Sequence, residues 1–235
     1  MLFRQLFEPD TCTYTYLLGC EHSGRAVLID TVHSQMDHYL ALLDELDLQL
    51  VYTFETHVHA DHVTAAGLLR ERIGSRSVVH RDAGAMCADL LVTHGVTLQV
   101  GELEFEVRHT PGHTGGCVSY VMHDRVFTGD ALLIGGCGRT DFQQGDAGKL
   151  YDAIHQQLFV LPPDTLVYPG HDYQGNRVSS IAQEKAKNAR LGGQRSREAF
   201  VELMAGLKLD YPRYIDQALP ANQQCGLATP VEVQG

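Results

Sequence analysis

Short apolar runs bounded by turn-forming residues recur along the chain. Tyr14 to Leu18, Ala26 to Ile29, Leu50 to Phe54, Val78 to His80, Leu103 to Arg108, Val118 to Met122, Arg125 to Thr128 and Leu166 to Tyr168 are rich in β-branched and aromatic residues and read as strands. Gln35 to Leu46, Val63 to Arg72, Gly148 to Phe159, Val178 to Ala189 and Arg197 to Leu207 carry apolar residues at helical spacing. Strands mixed with helices in this way predict an α/β protein.

Several of these strands end in residues that bind metals or carry protons. Leu50 to Phe54 runs into Thr56-His57-Val58-His59-Ala60-Asp61-His62. In an extended segment alternate side chains share a face, so His57 and His59 can look into one cavity. Leu103 to Arg108 leads to Pro111-Gly112-His113-Thr114, Arg125 to Thr128 to Gly129-Asp130, and Leu166 to Tyr168 to Pro169-Gly170-His171. Loops at one sheet edge that each deliver a single ligand-type residue are how α/β folds assemble a site.

Composition narrows the class. With 235 residues, 44% of them hydrophobic, and no Pro/Gly/Ser-rich linker, the chain reads as a single domain over 1–235, with residues from about 176 onward as a short helical C-terminal extension. A net charge of −11 argues against nucleic acid or an anionic membrane as a partner. No apolar run is long enough for a membrane helix, and Met1 to Asp10 lacks the regions of a signal peptide, so a cytoplasmic location is expected. Cys12, Cys20, Cys87, Cys117, Cys137 and Cys225 form no C-x-x-C pair and are expected to be reduced, packed thiols. Cys137 stands out only because it follows Asp130 in the loop.

The ligand inventory leaves two arrangements open. His57, His59, His113 and a bridging Asp130 could hold one ion while Asp61, His62 and His171 hold a second, as in a two-metal hydrolase. Alternatively His57, His113 and Asp130 alone form the two-histidine, one-carboxylate face used for non-haem Fe(II) and O₂ chemistry.

The ordered set H-x-H-x-D-H, G-H-T, G-D, P-G-H resembles the metallo-β-lactamase superfamily. That resemblance implies an αββα sandwich, two mixed β-sheets flanked by helices, with the metal cleft at one edge. Gly135-Gly136-Cys137-Gly138-Arg139-Thr140-Asp141-Phe142-Gln143-Gln144-Gly145, taken with Thr56 to Thr64 and Tyr168 to Gly175, resembles the persulfide dioxygenase family. In glyoxalase II, a related two-zinc hydrolase of S-lactoylglutathione, a third histidine is expected where Val58 stands, and an aromatic-acidic run in place of Thr140-Asp141-Phe142-Gln143. Lys187 to Leu191 and Leu219 to Gly226 fit the dioxygenases as well; Ala65, where Gly is expected, is a small departure.

The dioxygenase resemblance implies one Fe(II) per chain, held by His57, His113 and Asp130, that oxidises glutathione persulfide with O₂ and water to sulfite and glutathione. His59, Asp61, His62 and His171 then fix imidazole tautomers and water rather than a second ion. It also suggests a homodimer; no fused rhodanese-like domain fits in this length, so any sulfurtransferase partner must be separate. Glutathione carries two carboxylates and an amine, so Tyr173, Arg190 and Arg139 are candidate substrate contacts. Arg190 is the leading carboxylate clamp, and Arg139 is expected to hold its loop by pairing with Asp141. His109 is expected to support the turn before His113. His22, His33, His38, His80, His94, His123 and His155 lack partners at useful spacing and are expected to be exposed.

Overall fold

A computed structural model describes residues 1–227. In its first sheet β1 (Leu2–Glu8), β2 (Thr13–Cys20) and β3 (Arg25–Ile29) pair antiparallel, and β4 (Gln49–Phe54), β5 (Arg76–His80) and β6 (Leu90–Val92) continue parallel to β3. Helices α1 (Met36–Glu45) and α2 (Ala66–Ile73) join the parallel strands. In the second sheet β7 (Thr97–Val100), β8 (Leu103–His109), β9 (Val118–Val121) and β10 (Arg125–Gly129) form an antiparallel meander. Helix α3 (Ala147–Ala153) then leads to β11 (Leu166–Pro169), parallel to β10, with β12 (Ser179–Ser180) on the edge. Helices α4 (Ile181–Lys187), α5 (Arg197–Ala205) and α6 (Ile215–Asn222) follow.

Three buried layers tie these elements together. Between the sheets lie Tyr16, Phe54, Phe105, Tyr120 and Phe127, all fully buried. The Phe54 and Tyr120 rings stack at 4.8 Å across the interface, and Phe105 meets Phe54 edge-on at 5.3 Å. Leu17, Leu28, Tyr39, Leu43 and Leu69 seal α1 and α2 onto the outer face of the first sheet. Val126, Val167, Leu150, Ile181, Phe200 and Met204 do the same for α3, α4 and α5 on the second. The αββα sandwich expected from the motifs is therefore present, with two mixed sheets of six strands. No described helix is long and apolar enough to cross a membrane.

Several elements depart from the sequence reading. The segment Val178 to Ala189 begins as strand β12, and α4 starts only at Ile181, where the Ser180 hydroxyl accepts the Gln183 N–H at 3.2 Å. Helix α2 starts at Ala66 rather than Val63, because the Val63 carbonyl and the Gly67 N–H that would close its first turn are bonded elsewhere, to the His33 N–H at 2.7 Å and the Cys225 carbonyl at 2.8 Å. Beyond Ala153, α3 widens into a π turn over Ile154–Leu158. Strand β1 alternates poorly between faces, β6 and β7 are only three and four residues long, and none of the three gave a period to read. Helix α6 was not anticipated either.

The expectation of reduced thiols is corrected by a disulfide between Cys87 and Cys225, whose Cα atoms lie 5.8 Å apart. The two are 138 residues apart in sequence, so no local spacing could have paired them. Closing a loop of this size stabilises the fold by about 3–5 kcal/mol, largely through the unfolded state. Cys137 does pack, buried near Met204, and burial pushes its thiol up to about 11.

His80 is also corrected: it is buried, at the end of β5, and its ring lies on that of His109 at 4.1 Å and 12°. Asp82 completes a ligand-like group with this pair. Yet nearly parallel ring planes do not meet, so the two in-plane lone pairs cannot point at one ion. Burial, and then the neighbouring His109, lower His80 to about 4 from 6.5. As pH falls through that window the unfolded chain takes up a proton that the folded chain refuses, so stability drops toward pH 4 and levels off below it. Denaturation midpoints measured from pH 7 to 4 should show this loss, up to about 3 kcal/mol. His80→Asn, which keeps an acceptor for the Asp82 N–H, should flatten it; an unchanged slope would refute the assignment.

Candidate metal centre

Every ligand-type residue singled out above lies just beyond a strand or turn at one edge of the sandwich. β4 delivers His57, His59, Asp61 and His62; the β8–β9 turn delivers His113; β10 delivers Asp130; β11 delivers His171. At the end of β3, Asp30 joins them, buried and with a left-handed backbone (φ 53°) that Asp tolerates better than bulkier residues. A carboxylate at that strand end was the available signal for Asp30, but it carries no motif.

Ligand atoms of His57, His113 and Asp130 lie within 4.8 Å of one another. Both imidazoles donate through Nδ1, His57 to Thr56 Oγ1 at 3.0 Å and His113 to the Arg139 carbonyl at 2.7 Å. That fixes the tautomers and frees both Nε2 lone pairs. Burial, reinforced by His59 and His113, holds His57 well below the usual imidazole range, so it stays neutral and able to ligate. Asp130 Oδ1 is buried without a hydrogen-bond partner, an arrangement that a cation would repair. The donor set of two neutral imidazoles and one carboxylate fits a divalent ion with open positions.

The other histidines are engaged differently. His59 Nε2 donates to Asp30 Oδ1 at 3.2 Å and faces Glu55 Oε2 at 3.3 Å. Burial opposes charge on His59, but Asp30 and Glu55 outweigh it and raise its pKa well above the usual range. His62 Nδ1 donates to Asp61 Oδ2 at 2.7 Å. His171 Nε2 lies 3.4 Å from Asp61 Oδ2 and 3.7 Å from Asp130 Oδ1, and these carboxylates raise its pKa against the cost of burial. Asp61, despite burial, is held well below the carboxylate range by His62 and His171. His59, Asp61 and His62 also form a ligand-like group of their own, in which the Asp61–His62 contact is made by a proton while His59 Nδ1 and His62 Nε2 are buried without a partner.

The loop after Asp130 closes the site from the side. The Gly138 N–H donates to the Asp130 carbonyl at 2.7 Å, and a Cβ there would sit 2.6 Å from that oxygen and 2.8 Å from the His113 ring, so only glycine fits. Further along, Gln143 Nε2 donates to the Val58 carbonyl at 2.7 Å, joining this loop to the metal loop. Residues of the C-terminal region hold it from behind: Asn188 Nδ2 donates to Gly136 O at 2.9 Å and Arg190 Nη1 to Cys137 O at 2.6 Å.

A cleft of about 630 Å³ opens over His113, Asp130 and His171, and Tyr173, Arg139, Arg190 and Arg213 all line it. Tyr173 is 72% exposed at its rim, its ring parallel to that of His171. The guanidinium of Arg139 is spent on Asp141, at 2.7 and 2.8 Å, and on Asp210 O at 2.8 Å, which is the loop-holding role expected for it. Arg213, which the sequence reading missed, lies over Tyr214 and pairs with no carboxylate among the described residues. His109 supports its turn as expected, through Nε2 to Gly115 O at 3.0 Å.

The metallo-beta-lactamase superfamily model matches residues 11–171. The chain is 50% identical to the mitochondrial persulfide dioxygenase ETHE1 of Homo sapiens over 233 residues, 98% of this chain and 91% of that protein. A crystal structure of ETHE1 from Myxococcus xanthus superposes with a TM-score of 0.95 at 54% identity, covering 97% of this chain and 100% of that one. A hydroxyacylglutathione hydrolase of Polaromonas sp. is 33% identical over 182 residues, 75% of this chain and 68% of that protein.

Proposed function

Since the chain belongs to the persulfide dioxygenase family of the metallo-β-lactamase superfamily, and is thus a sulfur dioxygenase, we propose that it oxidises glutathione persulfide at a single Fe(II) held by His57, His113 and Asp130. The overall reaction takes glutathione persulfide, O₂ and water to glutathione, sulfite and two protons. When bound, iron would supply adjacent open positions for the persulfide sulfur and O₂ together with redox electrons that zinc lacks.

This chain's own groups account for the rest. Arg213 and Arg190 present cationic donors to the glutathione carboxylates, and Tyr173 offers a hydroxyl at the rim. His171 and Asp61, 3.4 Å apart beside Asp130, are placed to orient the water that separates sulfite from the thiol and to hold its proton. The observation that carries the one-ion reading is the grouping of His57, His113 and Asp130: their ligand atoms lie within 4.8 Å of one another, both imidazoles have Nδ1 engaged elsewhere, and Asp130 Oδ1 is buried without a hydrogen-bond partner.

Anaerobic purification, elemental analysis and an oxygen electrode test the reading. The expected result is about one iron per chain with O₂ uptake that depends on glutathione persulfide. Two zinc ions per chain, no O₂ uptake and hydrolysis of S-lactoylglutathione would replace the dioxygenase with a glyoxalase II-type hydrolase.

A further inference from the structure

Below the metal loop, one amide side chain spends all of its strong hydrogen bonds on backbone from another part of the chain. Asn222, at the end of α6, is only 4% exposed. Its Nδ2 donates to the His59 and His62 carbonyls, both at 2.8 Å, and its Oδ1 accepts the Thr64 N–H at 2.9 Å. The segment it grips forms no helix or strand, and apart from Asn222 its backbone is held by the His33 N–H, which donates to the Val63 carbonyl at 2.7 Å.

Asn222 is itself held from outside that loop. Three residues on, Cys225 is bonded to Cys87, and its carbonyl accepts the Gly67 N–H at 2.8 Å at the start of α2. These bonds tie the end of α6 to α2 and to the segment before β6. From His59 and His62 the contacts run on to the metal ligands. His59 meets Asp30, and Asp30 accepts the Thr56 hydroxyl (2.8 Å) that in turn receives the His57 Nδ1 proton. His62 meets Asp61, which faces His171 and through it Asp130.

We propose that Asn222 is a positioning residue for the metal centre, fixing the His59–Thr64 backbone so that the imidazoles and carboxylates around His57 and Asp130 keep the orientation that binds the ion. The inference rests on the reading that His57, His113 and Asp130 hold the metal. It does not depend on the substrate.

Cobalt(II) loaded in place of iron tests it, because its visible absorption bands report ligand geometry without turnover. Asn222→Ala should shift those bands and weaken Co(II) binding about tenfold. In the iron-loaded protein, kcat per bound iron should fall by about the same factor with KM within about twofold. Native bands and native Co(II) affinity in Asn222→Ala, even with a lowered Tm, would reduce Asn222 to a fold-stabilising residue and overturn the proposal. If the alanine variant does not fold, Asn222→Ser, which keeps a small donor, should show the same band shift at lower amplitude, and native bands there would overturn it equally. A native protein without persulfide-dependent O₂ uptake whose Asn222→Ala variant still shifts the cobalt bands would refute the dioxygenase reading and support this one.

Discussion

Asp130→Ala should leave a protein that folds, loses its iron and turns over persulfide at least roughly a thousandfold more slowly, equivalent to about 4 kcal/mol of transition-state stabilisation. Asp130 is the one carboxylate grouped with the two free imidazole lone pairs, and its Oδ1 is buried without another partner. Without it two neutral imidazoles would face a dication with no compensating charge. The fold should survive, because the main-chain bond from Gly138 N–H to the Asp130 carbonyl does not involve the side chain. Iron content, far-UV circular dichroism and O₂ uptake measured on one preparation give the answer. Near-native iron and activity would show that Asp130 does not hold the metal.

Asp30→Ala should have the second largest effect, and on stability as well as on the metal. Asp30 Oδ1 receives the Thr56 N–H at 2.7 Å and the His59 imidazole at 3.2 Å, and Oδ2 receives the Thr56 hydroxyl at 2.8 Å, with all three residues buried. Removing one partner of a buried charged pair costs up to about 3–5 kcal/mol; here Glu55 Oε2, 3.3 Å from His59, still faces the imidazole, while the buried Thr56 N–H and hydroxyl lose their acceptor. Asp30→Asn keeps one of the two acceptor oxygens and tolerates the left-handed backbone, so it should lose less stability while metal affinity still drops roughly tenfold to a hundredfold. Denaturant midpoints and metal titrations of the pair of variants separate the two contributions. Native stability of the Ala form would remove the buried pair from the account.

The metal-binding pieces were legible in sequence because each is a local run that follows an apolar strand, and strand ends are where a sheet fixes loops. His57, His113, Asp130 and His171 could therefore be brought to one edge from sequence alone, and the fold brings their ligand atoms together there. Asp30, Asn222 and Arg213 could not, since each is an isolated polar residue whose partners are distant in sequence; Asn222 lies 158 residues from Thr64. The Cys87–Cys225 bond was hidden for the same reason. His80 was misjudged because its burial depends on a ring supplied by β8, which period and composition do not reveal. The central strands, with their dense β-branched and aromatic runs, were found; short β6, β7 and β12 were not, being defined by pairing rather than by pattern.

The grip of Asn222 on His59, His62 and Thr64 also bears on biogenesis. A ribosome makes the chain from its N-terminus, so the histidine loop leaves the exit tunnel long before the residue that sets its backbone. Every strand of both sheets precedes α6 in the chain and can pair during that interval. On the positioning role proposed for Asn222, the loop would take its final shape only after both sheets have been made.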